Sequence, residues 1–192
     1  MSAQSVDTVG SNEDQVVLVN ASDEVVGYGD KKSCHDNHGI LHRAFSVYLF
    51  DTRGRLLLQR RSPKKRLWGH YWSNSCCSHP RPTETTLNAS TRRVREELGF
   101  SAPMTFLYKF EYRAEFLGLG VEHELCHVLA GPMFGQPDPD PDEVSDWQMV
   151  DPNHLDQEMH AKPEKFTPWL MLQWPQIRAR YWCHVTHIRR AK

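Results

Sequence analysis

The sequence predicts a single mixed α/β domain, in the α+β sense that strands outnumber helices, and three observations carry that prediction. Short runs of alternating apolar and polar residues recur between turn signals. One strongly periodic helix with recognisable ends lies near mid-chain. The 192 residues, 39% apolar and 24% charged, suffice for one core of ordinary composition.

In chain order, residues 16–20 and 24–28 read as short strands around the turn Ala21-Ser22-Asp23. Residues 31–40 are polar and irregular, or one weak helical turn. Phe45, Val47 and Leu49 alternate within 42–51, which suits a half-buried strand, and Thr52-Arg53-Gly54 turns the chain into a second strand over 55–61. Residues 84–98 form the best helix: Thr83 offers an N-cap, Leu87, Val94 and Leu98 recur at helical intervals, and Gly99 supplies the stop. Strands follow at 106–114 and 122–130, joined by Gly118-Leu119-Gly120, then a stiff Pro/Asp loop over 136–142. A last strand is expected at 147–150 and a closing helix over 167–181, broken near Pro175. The domain is therefore expected to span 16–180, with loose tails at 1–15 and 181–192.

The formal net charge of −1 argues against a dedicated nucleic-acid binder, which carries a basic excess. No run approaches the roughly 18 apolar residues of a membrane span, and the polar, acidic N-terminus lacks the apolar core of a secretory signal. Five cysteines, two of them the adjacent Cys76 and Cys77, suit a reducing cytoplasm better than a disulfide scaffold.

Chemistry concentrates in two places. Glu84, Arg92, Glu96, Glu97 and Gly99 have the spacing of a Nudix box, whose helix presents carboxylates to a cation on a diphosphate. A solvated charged face is the competing reading. Two positions depart from the box: Ser78 replaces its first Gly, and Arg93 replaces the Glu of its Arg-Glu pair, which weakens a hydrolytic metal cluster. The second place is a set of metal-ligand types. Cys77/His79 and Glu122/Glu124 are each two apart, so in strands each pair shares a face. With His35 and His42 they offer three imidazoles and two carboxylates, suited to Mn²⁺ or Mg²⁺, with Zn²⁺ accommodated in vitro. Any one of these histidines could equally be an ordinary core or surface residue. Cys183-His184 with His187 is a rival half-site near the end.

The run Trp72-Ser73-Asn74-Ser75-Cys76-Cys77-Ser78-His79-Pro80, with Tyr112-Arg113-Ala114, Glu122-His123-Glu124 and Phe166-Thr167-Pro168-Trp169, strongly resembles type I isopentenyl-diphosphate isomerase over residues 16–180. The resemblance implies a Nudix-like fold of mixed β-sheets sandwiched by helices. It implies conversion of isopentenyl diphosphate, a small-molecule substrate, into dimethylallyl diphosphate through a tertiary carbocation. It assigns Cys77 and Glu124 as the proton-transfer pair, Tyr112 as the partner of Glu124, and Trp169 as the indole facing the cation. It places Lys31, Arg61, Lys65 and Arg93 at the diphosphate, Glu97 at a Mg²⁺ carried on it, and His35, His42, His79, Glu122 and Glu124 at the resident metal. Neighbouring side chains in extended structure point to opposite faces, so only one of Cys76 and Cys77 can face the site; the resemblance selects Cys77. No nucleic-acid or membrane partner is expected, and oligomeric state and the direction of each proton transfer stay open. A Nudix pyrophosphohydrolase acting on a nucleoside diphosphate derivative and a non-catalytic Nudix-like binding module are the alternatives. The basic run 60–66 also admits a nucleic-acid or nuclear-localisation reading.

Overall fold

Valines at 16, 17 and 19 open the first strand, β1 (Gln15–Val19), which pairs antiparallel with β2 (Val25–Asp30). The structure, a computed structural model, describes residues 14–188; most of the expected N-terminal tail lies outside these. A single helical turn, α1 (Lys31–Cys34), follows, capped by the Asp30 carboxylate accepting from Ser33 N. Next come β3 (His42–Phe50) and β4 (Leu56–Arg61), the short β5 (Trp72–Ser73) and β6 (Cys76–Ser78), and α2 (Thr86–Leu98). The long β7 (Thr105–Phe116) and β8 (Gly120–Pro132) form a hairpin, and β9 (Val144–Val150) completes the nine-stranded sheet.

β3 is the organising strand. It was expected to be half-buried, yet Ala44 through Phe50 are all buried, because helices cover both faces of the sheet. Tyr48 and Phe50 join a core with Leu155, Leu170 and Trp174 on one face. Phe45, Val47 and Leu49 join a second core with Ala89, Val94 and Leu98 of α2 on the other. β3 runs parallel to β8 from His42↔Glu124 to Phe50↔Pro132 and antiparallel to β6, with Ser46 opposite Cys77. β7 sets Tyr112 opposite Glu124 and Ala114 opposite Glu122. These registers place the chemistry described below.

The best-read helix starts two residues later than expected: Thr85, not Thr83, is the N-cap, its Oγ1 accepting from Asn88 N at 3.2 Å. Leu87 is exposed at 48%, so Ala89, Val94 and Leu98 carry the packing instead. Gly99 ends the helix at φ 78°, and the Pro/Asp loop docks there, Asp138 N and Asp140 N donating to the carbonyls of Leu98 and Glu97. A Cβ at Gly99 would lie 2.9 Å from the Asp138 carbonyl oxygen. Gly99→Ala is therefore expected to cost about 2 kcal/mol in urea unfolding, from left-handed strain and displacement of the loop; an unchanged midpoint would contradict this.

Two further features differ from the sequence-based expectation. A helix over 152–161, α3 (Pro152–Ala161), was not anticipated; Asp151 caps it and Pro152 starts it, while Leu155 and Met159 face the core. The closing helix does not break at Pro175. After α4 (Pro168–Gln176) the backbone widens into a π-helical stretch (Ile177–Tyr181) and continues as α5 (Trp182–Ile188). Proline lacks a donor N–H, and the wider register absorbs that defect without ending the helix. The segment from 181, expected as a tail, is thus helical to Ile188, and its Val185 is fully buried in the first core. No helix among the described residues is long and apolar enough to cross a membrane.

Candidate active site

Ligand atoms of His35, His42, His79, Glu122 and Glu124 all lie within 4.8 Å of one another. The β3–β8 pairing brings His42 beside Glu124, Glu122 lies two residues before it on the same face, β6 delivers His79 at its end, and α1 delivers His35. Two of the imidazoles are oriented by backbone: His35 Nδ1 bonds the Lys31 carbonyl at 2.6 Å and His42 Nδ1 the Ile40 carbonyl at 2.7 Å. With Nδ1 carrying the proton, each Nε2 presents a lone pair, as in imidazole–metal sites. His42 Nε2 and His79 Nε2 stand 3.1 Å apart, and Glu122 Oε2 lies 2.9 Å from His35 Nε2 without the alignment of a hydrogen bond. Atoms so disposed point at a shared centre, and three nitrogens with two carboxylates fit a divalent cation.

The electrostatics agree. Burial, with His35 nearby, holds His42 down to about 4, so it is neutral near pH 7, as a ligand must be. Burial and His42 hold His79 low as well. Although burial opposes it, the neighbouring His35 pulls Glu122 down to about 2. Burial and the Glu122 charge push Glu124 up, so without a cation Glu124 is the carboxyl of the pair that keeps a proton.

A cavity of about 390 Å³ opens beside the cluster, lined by Cys77, Tyr112, Glu124, Trp169, Arg61, Lys65 and Lys31 among others. Tyr112 OH donates to Glu124 Oε2 at 2.7 Å, and the other carboxylate oxygen meets His79 Nε2 at 3.1 Å. Cys77 donates through Sγ to Asn74 Oδ1 at 2.8 Å, with Ser46 Oγ at 3.6 Å. Burial raises the Cys77 thiol to about 11, against the pull of Ser46 and Arg61, so it rests protonated. Cys76 is fully buried in the core beneath α2. All five cysteines are free.

Trp169 is buried, its ring edge-on to Trp68 at 5.3 Å, with the Arg61 guanidinium carbon 5.2 Å from its ring centroid. Leu67, Trp68, Tyr112 and Cys126 complete that apolar wall. Arg61 Nη2 donates to the Leu67 carbonyl at 3.0 Å, while its buried Nε has no partner. Desolvation and the nearby Lys65 and Arg93 charges lower the Lys31 ammonium. Such clustered cations are the electrostatic signature of an anion site.

Arg93 and Glu97 stand apart from this cavity. Arg93 borders an adjoining depression with Lys31 and His79, its guanidinium bonded to Glu97 at 2.7 Å, Glu96 at 2.8 Å and Glu143 at 2.8 Å. Glu97 is buried against Arg93 and is not among the five converging ligands. Glu143, which also pairs with Lys65, was not singled out in the sequence; it directly follows the acidic loop, where composition does not set one carboxylate apart from its neighbours, Asp142 being paired as well, with Lys64. Ser46, at 1% exposure, was missed too, although a lone serine within the apolar run 44–50 is a legible signal. Of the rival half-site, Cys183 and His187 are exposed and engage only within α5, His187 Nδ1 meeting the Cys183 carbonyl at 2.6 Å.

Glu143 yields a pH prediction. Burial raises its pKa, but Lys65 and Arg93 overcome this and hold it at about 2, below the ordinary 4.5. A depressed carboxylate contributes stability that is present above about pH 4.5 and lost as pH falls from there toward about 2. Glu143→Gln should therefore flatten the fall in urea midpoint across that window; parallel profiles for variant and parent would refute it.

Comparison with known proteins agrees with this fold. The NUDIX domain model matches residues 40–170. A Deinococcus radiodurans protein of known crystal structure superposes with TM-score 0.70 at 23% identity, over 84% of this chain and 98% of that one, a likeness of fold. Isopentenyl-diphosphate Delta-isomerase 2 of Aromatoleum aromaticum is 44% identical over 158 residues, 82% of this chain and 83% of its own length. Isopentenyl-diphosphate Delta-isomerase of Serratia proteamaculans is 42% identical over 159 residues, 83% of this chain and 88% of its own. With relatives this similar over most of both chains, and with a NUDIX match that spans four of the five converging metal-ligand residues, all but His35, the chain belongs to the isopentenyl-diphosphate Delta-isomerase family of Nudix-fold proteins.

Proposed function

We infer that this chain isomerises isopentenyl diphosphate to dimethylallyl diphosphate and that Cys77 and Glu124 carry its two proton transfers. The carrying observation is that both groups enter one cavity, from different strands, beside a cluster that can hold a cation and an aromatic wall. The reaction adds a proton at C4, removes one from C2 and develops positive charge at C3. An unactivated alkene is a weak base, so the acid and the base must both be positioned before the substrate arrives.

His35, His42, His79, Glu122 and Glu124 would hold the resident divalent cation, Mn²⁺ or Mg²⁺ with Zn²⁺ as a substitute; when bound, it supplies positive charge that fixes and acidifies Glu124. Tyr112 keeps the Glu124 carboxyl oriented through its 2.7 Å bond. Trp169 offers an aromatic face to the C3 cation, worth about 2 kcal/mol in a desolvated site, or ~30-fold in rate if felt only in the transition state. The wall of Leu67, Trp68 and Trp169 excludes water that would otherwise capture the cation. Arg61, Lys65 and Lys31 bind the diphosphate, the buried Arg61 Nε being a donor available for an anion. Arg93 would add its charge from the adjoining depression, and Glu97, buried in its pair with Arg93, would reach a Mg²⁺ accompanying the diphosphate once that pair opens.

Incubation with isopentenyl diphosphate and Mg²⁺ in deuterated water tests the reading. Deuterium should appear in the C4-derived methyl of dimethylallyl diphosphate. Folded, metal-supplemented protein that turns nothing over, or that releases inorganic phosphate from nucleoside diphosphate derivatives instead, would sink it.

A further inference from the structure

We propose that Asn74 is a positioning residue whose carboxamide oxygen holds the Cys77 thiol and the Trp169 indole in one fixed relation. This rests on the reading of Cys77 and Trp169 as residues that meet the substrate. Asn74 lies in the turn between β5 and β6 and is fully buried. Its Nδ2 donates to the Val47 carbonyl at 3.1 Å and to the Cys76 carbonyl at 2.9 Å. Carbonyl oxygens can only accept, so the amide cannot flip, and Oδ1 is committed to the opposite side.

On that side three donors converge. Cys77 Sγ approaches Oδ1 at 2.8 Å, Trp169 Nε1 at 3.1 Å and Ser73 Oγ at 3.1 Å. The indole has no acceptor of its own and needs a buried oxygen; it shares its hydrogen between Asn74 and Ser73 Oγ, the latter at 3.0 Å. One amide therefore ties a side chain of β6 to one of α4, residues 92 positions apart by numbering, and both ends line the cavity. Hydrophobic packing alone would leave the thiol free to rotate about Cα–Cβ. The acceptor selects the rotamer that keeps sulfur in the cavity wall.

The test uses full-length, metal-supplemented protein. Asn74→Ala should lower kcat roughly 100-fold, the scale of a 1 Å misplacement, while KM for isopentenyl diphosphate changes less than about 2-fold, because the diphosphate contacts lie elsewhere. Asn74→Asp keeps an oxygen toward Cys77 and Trp169 but loses both amide donors. It should recover about 10-fold or more of the lost kcat even if it lowers Tm further. In the parent protein the Trp169 indole N–H resonance, assigned by its disappearance in Trp169→Phe, should be protected from exchange and should shift in Asn74→Ala. A purely structural turn residue predicts the reverse: Tm falls while kcat and the resonance of folded molecules stay put, and alanine works as well as aspartate. Rapid exchange of that N–H in the parent protein overturns the proposal even if neither variant folds. If Cys77→Ala retains turnover, the assignment of the thiol fails; if Cys77→Ala is dead while Asn74→Ala keeps the parent kcat, only the positioning role fails.

Discussion

Cys77→Ala should reduce turnover by roughly 10³-fold or more, at the upper end of what one acid–base group supplies, whereas Cys76→Ala should leave kcat per folded molecule nearly unchanged. The two thiols are adjacent in sequence and alike in chemistry, so any difference between them measures placement. β6 pairs antiparallel with β3, setting Cys76 opposite Val47 and Cys77 opposite Ser46. Alternation then sends Cys76 into the core beneath α2, among Val47, Ala89 and Val94, and Cys77 into the cavity wall. Loss of the Cys76 sulfur is a small core truncation, costing about 1 kcal/mol of stability and no chemistry. Cys77→Ser adds a finer comparison: a hydroxyl keeps the hydrogen bond to Asn74 but is a poorer proton-transfer group than a thiol, so activity should be low with KM preserved. Steady-state isomerisation with Tm measured alongside decides the matter. Residual activity in Cys77→Ala comparable with that of Cys76→Ala would remove Cys77 from the mechanism.

The same alternation explains what was legible in the sequence. Period two along residues 76–79 and 122–124 correctly groups Cys77 with His79 and Glu122 with Glu124, because strand geometry is local. That His35, His42 and the two pairs meet at one point depends on β3 lying parallel to β8 across about 80 residues of chain, a pairing no local pattern encodes; the resemblance to a family supplied it. Burial of β3 on both faces was misread for a related reason. Alternating Phe45, Val47 and Leu49 announced one apolar face, but Tyr48 and Phe50 needed α3 and α4 to cover the other, and α3 was not anticipated. Its signals, Asp151-Pro152 followed by Leu155 and Met159, are real but spread over a short segment of polar residues. Thr83 and Thr85 compete as caps on equal chemical terms, and only the turn leading into the helix decides between them. The carboxylate of Glu143 is one of several in and beside its loop, and its half-buried partners, Lys65 and Arg93, are set by long-range packing.

Removal of divalent metal should abolish isomerisation and lower Tm together, and restoration of about one ion per chain at the His/Glu cluster should recover both. The argument is electrostatic. Glu122 and Glu124 sit within 4.8 Å of each other and of three imidazole nitrogens, and in the cation-free protein the strain is relieved by protonating Glu124. A dication at that centre satisfies both carboxylates as anions and the Nε2 lone pairs at once, so it binds the folded chain in preference to the unfolded one. At a hundredfold excess over Kd this preference contributes about 2.7 kcal/mol of stability. Three nitrogen donors should favour Zn²⁺ over Mn²⁺ and Mn²⁺ over Mg²⁺ in affinity. His42→Ala and Glu122→Gln each remove one ligand without touching Cys77, and each should weaken the metal-induced rise in Tm as well as turnover. Differential scanning calorimetry with and without chelator, with metal content per chain determined on the same samples, reads this directly. A Tm indifferent to metal, or a metal-dependent rise that survives in both variants, would mean that the cluster is not the ion's site. The dependence of turnover on the ion would then have to arise at the substrate's diphosphate.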